Sequence, residues 1–142
     1  MIRRLTRVDA AAAARIHNAS FDKGWSEDSL ITHIESDMCL GLFQPDLIGF
    51  IILKPAVDQA EIITLAVQPN VRGGGLGSAL VEAGCGQLKA AGVSVLFLEV
   101  AEDNEAAIAL YKKCGFAPMG RRPAYYRRVK GRVAALTYRK NI

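Results

Sequence analysis

Glycine occupies four of the five positions from Gly73 to Gly77, between Arg72 and an apolar segment that predicts a helix. Glycines let a chain turn tightly and leave backbone N–H groups pointing outward. The first N–H groups of a helix also lack partners within the helix, and the helix dipole attracts negative charge to that end. The loop and the helix together predict a site for a phosphate or pyrophosphate. The alternative is a flexible glycine turn that binds nothing.

Two common phosphate-binding motifs do not fit this loop. The dinucleotide fingerprint G-x-G-x-x-G requires a glycine where the chain has Leu80, and it follows the first strand of a βαβ unit, whereas this loop lies mid-chain. A P-loop requires Gly-Lys-Ser or Gly-Lys-Thr, and neither occurs. Residues 72–77 do fit a third pattern, Arg/Gln-x-x-Gly-x-Gly/Ala.

A second group that could do chemistry contains Glu99, Asn104 and Tyr111. Glu99 comes near the end of the apolar run 93–100. Desolvation raises the pKa of a carboxylic acid, which suits a general base near neutral pH. Alternatively, the strand ends there and Glu99 meets water or pairs with an arginine. Asn104 and Tyr111 share one face of a predicted helix, so they could bind the same ligand. Alternatively, Asn104 is only the N-cap of the helix and Tyr111 is only a core residue.

The elements that must position these residues alternate between strands and helices. Strands are predicted over residues 2–6, 39–43, 48–54, 61–67, 93–100, 116–122 and 132–138, and helices over 9–20, 26–36, 76–91 and 104–113. Asp9 and Ser26 are the expected N-caps of the first two helices. The strongly apolar strand 93–100 predicts cover on both faces. The order β-α-α-β-β-β-α-β-α-β-β is an α/β (α+β) mixed sheet with helices on its faces, in a single domain of residues 1–142.

The loop and the later group together resemble the GNAT N-acetyltransferase superfamily. The loop 72–77 is similar to that family's pyrophosphate loop, and Val67-Gln68-Pro69-Asn70 is similar to its preceding V-x-P-x. The segment 98–116 matches the family pattern L-E-V-x-x-x-N-x-x-A-x-x-L-Y-x-x-x-G-F. The resemblance spans residues 62–116, and the remainder of the chain is compatible with it.

The resemblance implies an acetyl-CoA-dependent N-acetyltransferase with the GNAT fold, in which an amine attacks the thioester directly without an acyl-enzyme. It implies Glu99 as the general base and Tyr111 as the general acid. It assigns cofactor binding to a strand end, the glycine loop and two helix starts: Leu65, Ala66, Val67, Arg72, Gly73, Gly74, Gly75, Leu76, Gly77, Ser78 and Asn104. Trp25, Tyr125 and Tyr126 are candidates for binding the amine substrate; the alternative for the two tyrosines is ordinary strand packing.

Within the superfamily, the chain is most similar to the RimI type, the N-terminal alanine acetyltransferases of ribosomal proteins. Trp25-Ser26 is similar to the end of that type's F-P-W-S, and segment 121–126 to its R-R-x-Y-Y. Gly24 replaces a proline, Gly73 stands where an arginine is common, and 132–134 is Arg-Val-Ala where the type carries E-D-A. An acidic pair that could bind a cationic peptide is thus absent from that position. We expect a protein N-terminus as the acceptor, with a small amine such as an antibiotic, polyamine or amino acid as the alternative.

Two other classes of protein have to be weighed against an enzyme: a nucleic-acid-binding domain and a domain that only binds coenzyme A. The formal net charge of +4 suits an enzyme that binds a polyanionic cofactor. It also admits a nucleic-acid-binding domain that uses basic C-terminal residues, namely Arg121, Arg122, Arg127, Arg128, Lys130 and Arg132. We consider a solvated basic strand and loop the better interpretation, because basic and aromatic residues do not alternate as in RNA-recognition domains. A domain that only holds coenzyme A would need neither Glu99 nor Tyr111.

Cysteine use and hydropathy favour a cytoplasmic protein without a metal. Cys39, Cys85 and Cys114 form neither a disulfide framework nor a zinc-binding pattern. Such cysteines suit a reducing compartment. No apolar run approaches the ~20 residues of a membrane-spanning helix, so we expect no membrane association. The sequence is compatible with a monomer or a homodimer.

Overall fold

The computed structural model describes residues 1–128 and 131–142. Within them the elements follow the predicted order: β1 (Ile2–Arg4), α1 (Ala10–Ser20), α2 (Glu27–Ser36), β2 (Met38–Phe43), β3 (Leu47–Ala56), β4 (Gln59–Val67), α3 (Leu76–Ala90), β5 (Val95–Ala101), α4 (Glu105–Lys113), β6 (Ala117–Arg128) and β7 (Gly131–Asn141). The strands form one seven-stranded sheet in the order β1-β2-β3-β4-β5-β7-β6. β4 and β5 are parallel, and the other neighbours are antiparallel.

Helices cover both faces of the sheet, so the mixed α/β architecture is as predicted. α3 and α4 pack on one face over a buried cluster that includes Leu80 and Leu96. α1 and α2 pack on the other face over a cluster that includes Leu30 and Phe50. All four of these side chains are fully buried.

Two of the helix starts that matter for the site have side-chain caps. Ser26 Oγ accepts from the Ser29 N–H (3.1 Å) at the start of α2, as predicted. Asn104 Oδ1 accepts from the Ala107 N–H (3.2 Å) at the start of α4. Asp9 precedes α1, but its carboxylate accepts from the Thr6 N–H (2.8 Å) instead of capping α1. The short 3-10 turn Arg7–Asp9 directs the carboxylate backwards, so the predicted cap is wrong in this respect.

The β6–β7 hairpin is much longer than the sequence predicts. β6 continues to Arg128 and β7 begins at Gly131, so Tyr125 and Tyr126 lie on a strand. Almost every residue of β6 is exposed. A strand that buries neither face has no apolar alternation, and its end therefore carries no hydrophobic signal.

β5 is covered on one face only in the region of the site. Leu96, Leu98 and Val100 are buried against α3 and α4, whereas Phe97 and Glu99, on the opposite face, are half-buried. The prediction that both faces of this strand are covered therefore fails at Phe97 and Glu99, although Val95 and Ala101 on the same face are buried. The half-open face gives the Glu99 side chain access to solvent.

β4 and β5 separate part-way along the sheet. Their parallel pairing runs from Gln59–Val95 to Ile62–Leu98 and then stops. At the same point β4 carries a bulge at Ile63, because the pairing with β3 shifts there. A bulge bends its strand and increases the local twist. Beyond it, β4 stays with β3 and β5 stays with β7, which leaves a gap between residues 65–67 and 99–101.

Candidate active site

The gap exposes main-chain groups of β4. The Gln68 N–H donates to the Ile48 carbonyl (2.8 Å), and the pairing with β3 continues in register back to Leu65. In an antiparallel pair, successive residues alternate between bonding to the partner strand and pointing away from it. Ala66 therefore bonds to β3, whereas the N–H and C=O groups of Leu65 and Val67 point into the gap.

The glycine loop presents a second set of donors beside the gap. Gly73 (φ +86°) and Gly75 (φ +78°) adopt the left-handed conformation that favours glycine. A Cβ at either position would meet no atom within 4 Å, so both face open space. Ala79 N–H bonds to the Gly75 carbonyl (3.1 Å), and in the described chain no side chain caps the start of α3. The N–H groups of residues 76–78 are thus free to bind an anion.

These elements line one cleft of about 470 Å³. It contains most of the residues predicted to bind a cofactor, together with the predicted acid: Leu65, Ala66, Val67, Arg72, Gly73, Gly75, Leu76, Gly77, Ser78, Asn104 and Tyr111. Gly74 lies in the same loop but does not line the cleft. A larger cavity, of about 830 Å³, lies between α1, β1 and the β2–β3 turn and contains none of the predicted site residues.

Arg72 clamps one end of the cleft. Its Nε donates to the Val67 carbonyl (3.1 Å), and its Nη2 donates to Ser20 Oγ (2.9 Å) at the end of α1. The side chain therefore ties the end of β4 to the end of α1. Because the Val67 carbonyl is occupied, the free main-chain groups in the gap are the Leu65 N–H and C=O and the Val67 N–H.

α4 brings Asn104 and Tyr111 to the same cleft, as their spacing predicts. Tyr111 is 7% exposed, and its ring packs edge-on against Phe116 with 5.6 Å between ring centroids. Burial raises the pKa of Tyr111, so its hydroxyl stays protonated at neutral pH and can donate a proton. α3 approaches α4 closely here, because a Cβ on Gly77 would lie 3.0 Å from the Leu110 side chain.

Glu99 does not line the cleft. Its side chain projects from the face of β5 that is opposite to α3 and α4. Its side chain is 28% exposed, and its Oε1 lies 3.3 Å from Nη2 of Arg122 on β6. Of the two environments considered from the sequence, the structure has the one with water and an arginine partner. The candidate acid, Tyr111, and the candidate base therefore approach the gap from different sides.

Tyr125 and Tyr126 share a surface with Glu99. Burial, and after it the charge of Glu99, raises the pKa of Tyr126. The two tyrosine rings pack edge-on with 5.1 Å between their centroids. The Arg122 guanidinium lies 4.5 Å over the Tyr125 ring. On the same strand, the Asp103 hydrogen bond raises the pKa of Arg128. The charge of Asp22, in the segment between α1 and α2, acts in the same direction.

Residues 10–116 match the acetyltransferase (GNAT) family. The chain belongs to this family. Over 134 residues it is 34% identical to the ribosomal protein bS18-alanine N-acetyltransferase of Escherichia coli, covering 93% of this chain and 90% of the relative. It is 32% identical over 129 residues to the enzyme of the same name from Haemophilus ducreyi, covering 89% of this chain and 88% of that one.

Solved structures agree with the family assignment. The ribosomal-protein-S18-alanine N-acetyltransferase from Escherichia coli superposes with a TM-score of 0.93 at 32% identity, covering 100% of this chain and 93% of that one. Ard1 from Thermoplasma volcanium superposes with a TM-score of 0.88 at 26% identity, covering 100% of this chain and 97% of that one. The protein yncA from Salmonella typhimurium, solved with its cofactor acetyl-CoA, shares the fold (TM-score 0.87, 19% identity, coverage 99% and 92%).

The predicted family, fold class and enzyme class are therefore confirmed. This GNAT protein is an acetyl-CoA-dependent N-acetyltransferase, and the alternative of a domain that only holds coenzyme A is not supported.

Trp25, predicted to bind substrate, does not line the cleft of this acetyltransferase. Its indole stacks between His17 (4.7 Å between centroids) and His33 (4.6 Å). Trp25 lies within the segment that joins α1 to α2, and of the rings that contact His17 only Phe21 lines the cleft.

Acids neutralise much of the basic hairpin. Arg121 pairs with Glu102 (3.1 Å), Arg128 pairs with Asp103 (2.9 Å), and Arg122 pairs with Glu99. Arg127 lies opposite Arg132 across the hairpin, and Lys130 lies outside the described residues. An arginine whose charge is neutralised by a carboxylate attracts nucleic-acid phosphates less strongly, so these ion pairs argue against nucleic-acid binding.

Several cleft residues have no counterpart in the sequence-based prediction: Ser20, Phe21, Ala106, Ala107, Ala109, Leu110 and Lys113. The alanines could have been found, because small residues beside Asn104 on a helix leave room for a ligand. No local pattern relates Ser20 or Phe21 to the glycine loop. They lie there because α1 packs against β4, where Arg72 bonds to both Val67 and Ser20.

In residues 1–128 and 131–142, no group of His, Cys, Asp or Glu is arranged to hold a metal ion. No helix in these ranges is long and apolar enough to cross a membrane. Cys39, Cys85 and Cys114 are free thiols.

Proposed function

We propose that this acetyltransferase binds acetyl-CoA in the cleft and transfers the acetyl group to the α-amine of an N-terminal alanine on a ribosomal protein. One observation carries the proposal. The gap between β4 and β5 presents the free N–H and C=O of Leu65 and the free N–H of Val67, with the glycine loop at one end and Tyr111 beside it.

The chemistry of the cleft lining suits acetyl-CoA. The free N–H groups of residues 76–78 and the turns at Gly73 and Gly75 suit its pyrophosphate, and Lys113 adds a positive charge at the lining. The Leu65 and Val67 main-chain groups can pair with the amides of its pantetheine arm as a further strand would. Asn104 lies at the start of α4, on the same side of the cleft as Tyr111.

The thioester supplies an activated acetyl group, so the enzyme has to orient it and deliver a neutral amine. Glu99 accepts a proton from the amine through a water, since its carboxylate is solvent-accessible but lies outside the cleft. The amine nitrogen then bonds to the acetyl carbon while a main-chain N–H in the gap stabilises the charge on the carbonyl oxygen. The carbon–sulfur bond breaks, and Tyr111 donates its proton to the leaving thiolate. The extra proton on the attacking nitrogen then passes through water to the tyrosinate, which leaves a neutral amide and restores the Tyr111 hydroxyl.

Two arguments support an N-terminal α-amine as the acceptor. The Escherichia coli relative, similar over nearly the whole chain, acts on the alanine of a ribosomal protein according to its name. An α-amine has a pKa of about 7.7–8.0, so it loses its proton near neutral pH more easily than a lysine side chain with a pKa of about 10.4.

A peptide assay with labelled acetyl-CoA tests this proposal. The matched pair is one peptide that begins with alanine and contains one lysine, prepared with a free or a blocked N-terminus. We expect label only on the free N-terminus. Label on both peptides would indicate lysine acetylation. Label only on polyamines, amino acids or aminoglycosides run in parallel would replace the protein acceptor with a small amine.

A further inference from the structure

Four aromatic rings stack where α1 leads into α2, in the spatial order Phe21, His17, Trp25 and His33; we call them the ring stack. The distances between successive ring centroids are 4.4, 4.7 and 4.6 Å. His17 lies inside the stack and is 3% exposed. At the other end of the stack from Phe21, His33 Nδ1 lies 2.6 Å from the Asp37 carboxylate.

The hydrogen bonds of His17 determine which of its nitrogens carries the proton. Burial lowers the pKa of His17 to about 4, so the ring is neutral near pH 7. A neutral imidazole has one donor and one acceptor nitrogen. The Trp25 backbone N–H donates to Nδ1 (3.1 Å), so Nδ1 is the acceptor. Nε2 therefore carries the hydrogen and donates it to Thr64 Oγ1, 3.2 Å away.

These two bonds join parts of the molecule that meet at the cleft. Thr64 lies between the bulge at Ile63 and Leu65, whose main-chain groups face the gap. Trp25 belongs to the α1–α2 segment, and Phe21, stacked on His17, lines the cleft at the end of α1. His17 thus bonds to the strand on one side and supports an exposed cleft ring on the other.

We propose that His17 is a positioning residue that holds the Phe21 ring and the α1–α2 segment against the bulged part of β4, and so sets the shape of the part of the cleft that Phe21 lines, where the acceptor amine enters. The expected change in the acceptor KM rests on the proposed acetyl transfer, whereas the placement of the α1–α2 segment by His17 does not. If His17 were only a packing residue, its loss would lower stability without changing the kinetics of the folded enzyme.

The kinetic test uses the two smallest changes at the Thr64 end of the bond. Thr64→Val removes the acceptor of the Nε2–H bond, and Thr64→Ser keeps it. We expect Thr64→Val to raise the KM for the acceptor peptide about tenfold, from the loss of one buried hydrogen bond and looser ring contacts. The KM for acetyl-CoA should rise less than the acceptor KM, because the glycine loop and the start of α3 that bind the pyrophosphate are unchanged, and Thr64→Ser should restore the acceptor KM. His17→Phe, which keeps a ring and loses both bonds, should match Thr64→Val.

A spectroscopic test needs no acceptor. Trp25 is the single tryptophan of the chain, so its fluorescence reports on the ring stack. We expect acrylamide to quench Trp25 at least twice as efficiently in Thr64→Val as in the wild type or in Thr64→Ser. Circular dichroism and gel filtration identify the folded fraction of each variant.

The two tests separate the possible failures. Unchanged quenching in Thr64→Val would overturn the proposal, because the α1–α2 segment would then not depend on His17. Increased quenching with an unchanged acceptor KM would also overturn it and leave a packing role. A wild-type enzyme that acetylates no amine would refute the proposed function, and the quenching comparison would still decide whether His17 places the segment.

Discussion

The cofactor side and the acceptor side of this acetyltransferase are built from different groups. The cofactor side consists of the end of β4, the glycine loop and the starts of α3 and α4, and it offers main-chain N–H groups beside glycines and alanines. The acceptor side consists of the α1–α2 segment and the β6–β7 hairpin. It offers long side chains, among them the Glu99–Arg122 and Asp103–Arg128 pairs.

The difference suits one ligand that stays the same, acetyl-CoA, and one that can vary, the acceptor amine. Main-chain donors hold the same ligand whatever the neighbouring side chains are, so a loop of fixed geometry suits acetyl-CoA. Exposed ion pairs contribute little to stability, typically 0–1 kcal/mol, so their members can be exchanged at small cost. We therefore expect acceptor preference to depend on the hairpin and the α1–α2 segment.

The largest effect should come from the proposed acid on the cofactor side. Tyr111→Phe should lower kcat about a hundredfold or more, because the thiolate would leave without a proton donor. The KM for acetyl-CoA should change less than twofold, since the ring is retained. Steady-state kinetics with each substrate varied gives both values.

Tyr138→Phe is the matched control, because Tyr138 is equally buried but does not line the cleft. It should leave kcat unchanged. A kcat for Tyr111→Phe within threefold of the wild type would remove Tyr111 from the chemistry.

Low pH should reduce the stability that His17 contributes where the α1–α2 segment contacts β4. The pKa of His17 falls from its ordinary 6.5 to about 4 on folding. The unfolded chain therefore takes up a proton first as the pH falls. The stability that His17 contributes is complete above pH 6.5 and is lost as the pH falls from 6.5 through 4, a change of about 3 kcal/mol.

Urea unfolding of the wild type and His17→Phe between pH 7.5 and 4.5 measures this contribution. Carboxylates titrate in both proteins, so the difference between the two curves isolates His17. Parallel curves would show that burial does not keep His17 neutral.

The glycine loop should respond to a single methyl group. Gly75→Ala forces a side chain into the left-handed region, which costs about 1–2 kcal/mol, at a residue that lines the cleft. We expect the KM for acetyl-CoA to rise about tenfold with little change in the acceptor KM. Isothermal titration with coenzyme A should show the same loss.

Gly86→Ala is the control for this change, because Gly86 lies exposed within α3 and a Cβ there meets no atom within 4 Å. It should stabilise the protein by about 0.5–1 kcal/mol and leave the kinetics unchanged. Equal coenzyme A binding by both variants would contradict a phosphate site at Gly75.

The smallest effect should come from the acceptor side. Arg122→Gln releases the Glu99 carboxylate, so a cationic acceptor peptide should bind with a KM about two- to threefold lower at low ionic strength. Arg121→Gln, which releases Glu102 instead, should change the KM little. A tenfold fall in kcat for Arg122→Gln would assign Arg122 a part in the reaction.

The sequence by itself determined the element order, the family and the residues that gather around the cofactor cleft. These follow from local causes. Positive-φ glycines before a helix, an asparagine cap, and a tyrosine two turns after it are all properties of short segments. Their chemistry can be predicted because a loop and a helix start place their own main-chain groups.

Only the tertiary structure decided how the two sides meet. The bulge at Ile63, the half-open face that exposes Glu99, the clamp made by Arg72 and the bonds of His17 all join residues distant in the chain. The exposed β6 has no hydrophobic alternation to mark its length. Contacts of this kind depend on how the sheet bends and where helices pack on it, and no short stretch of sequence carries that information.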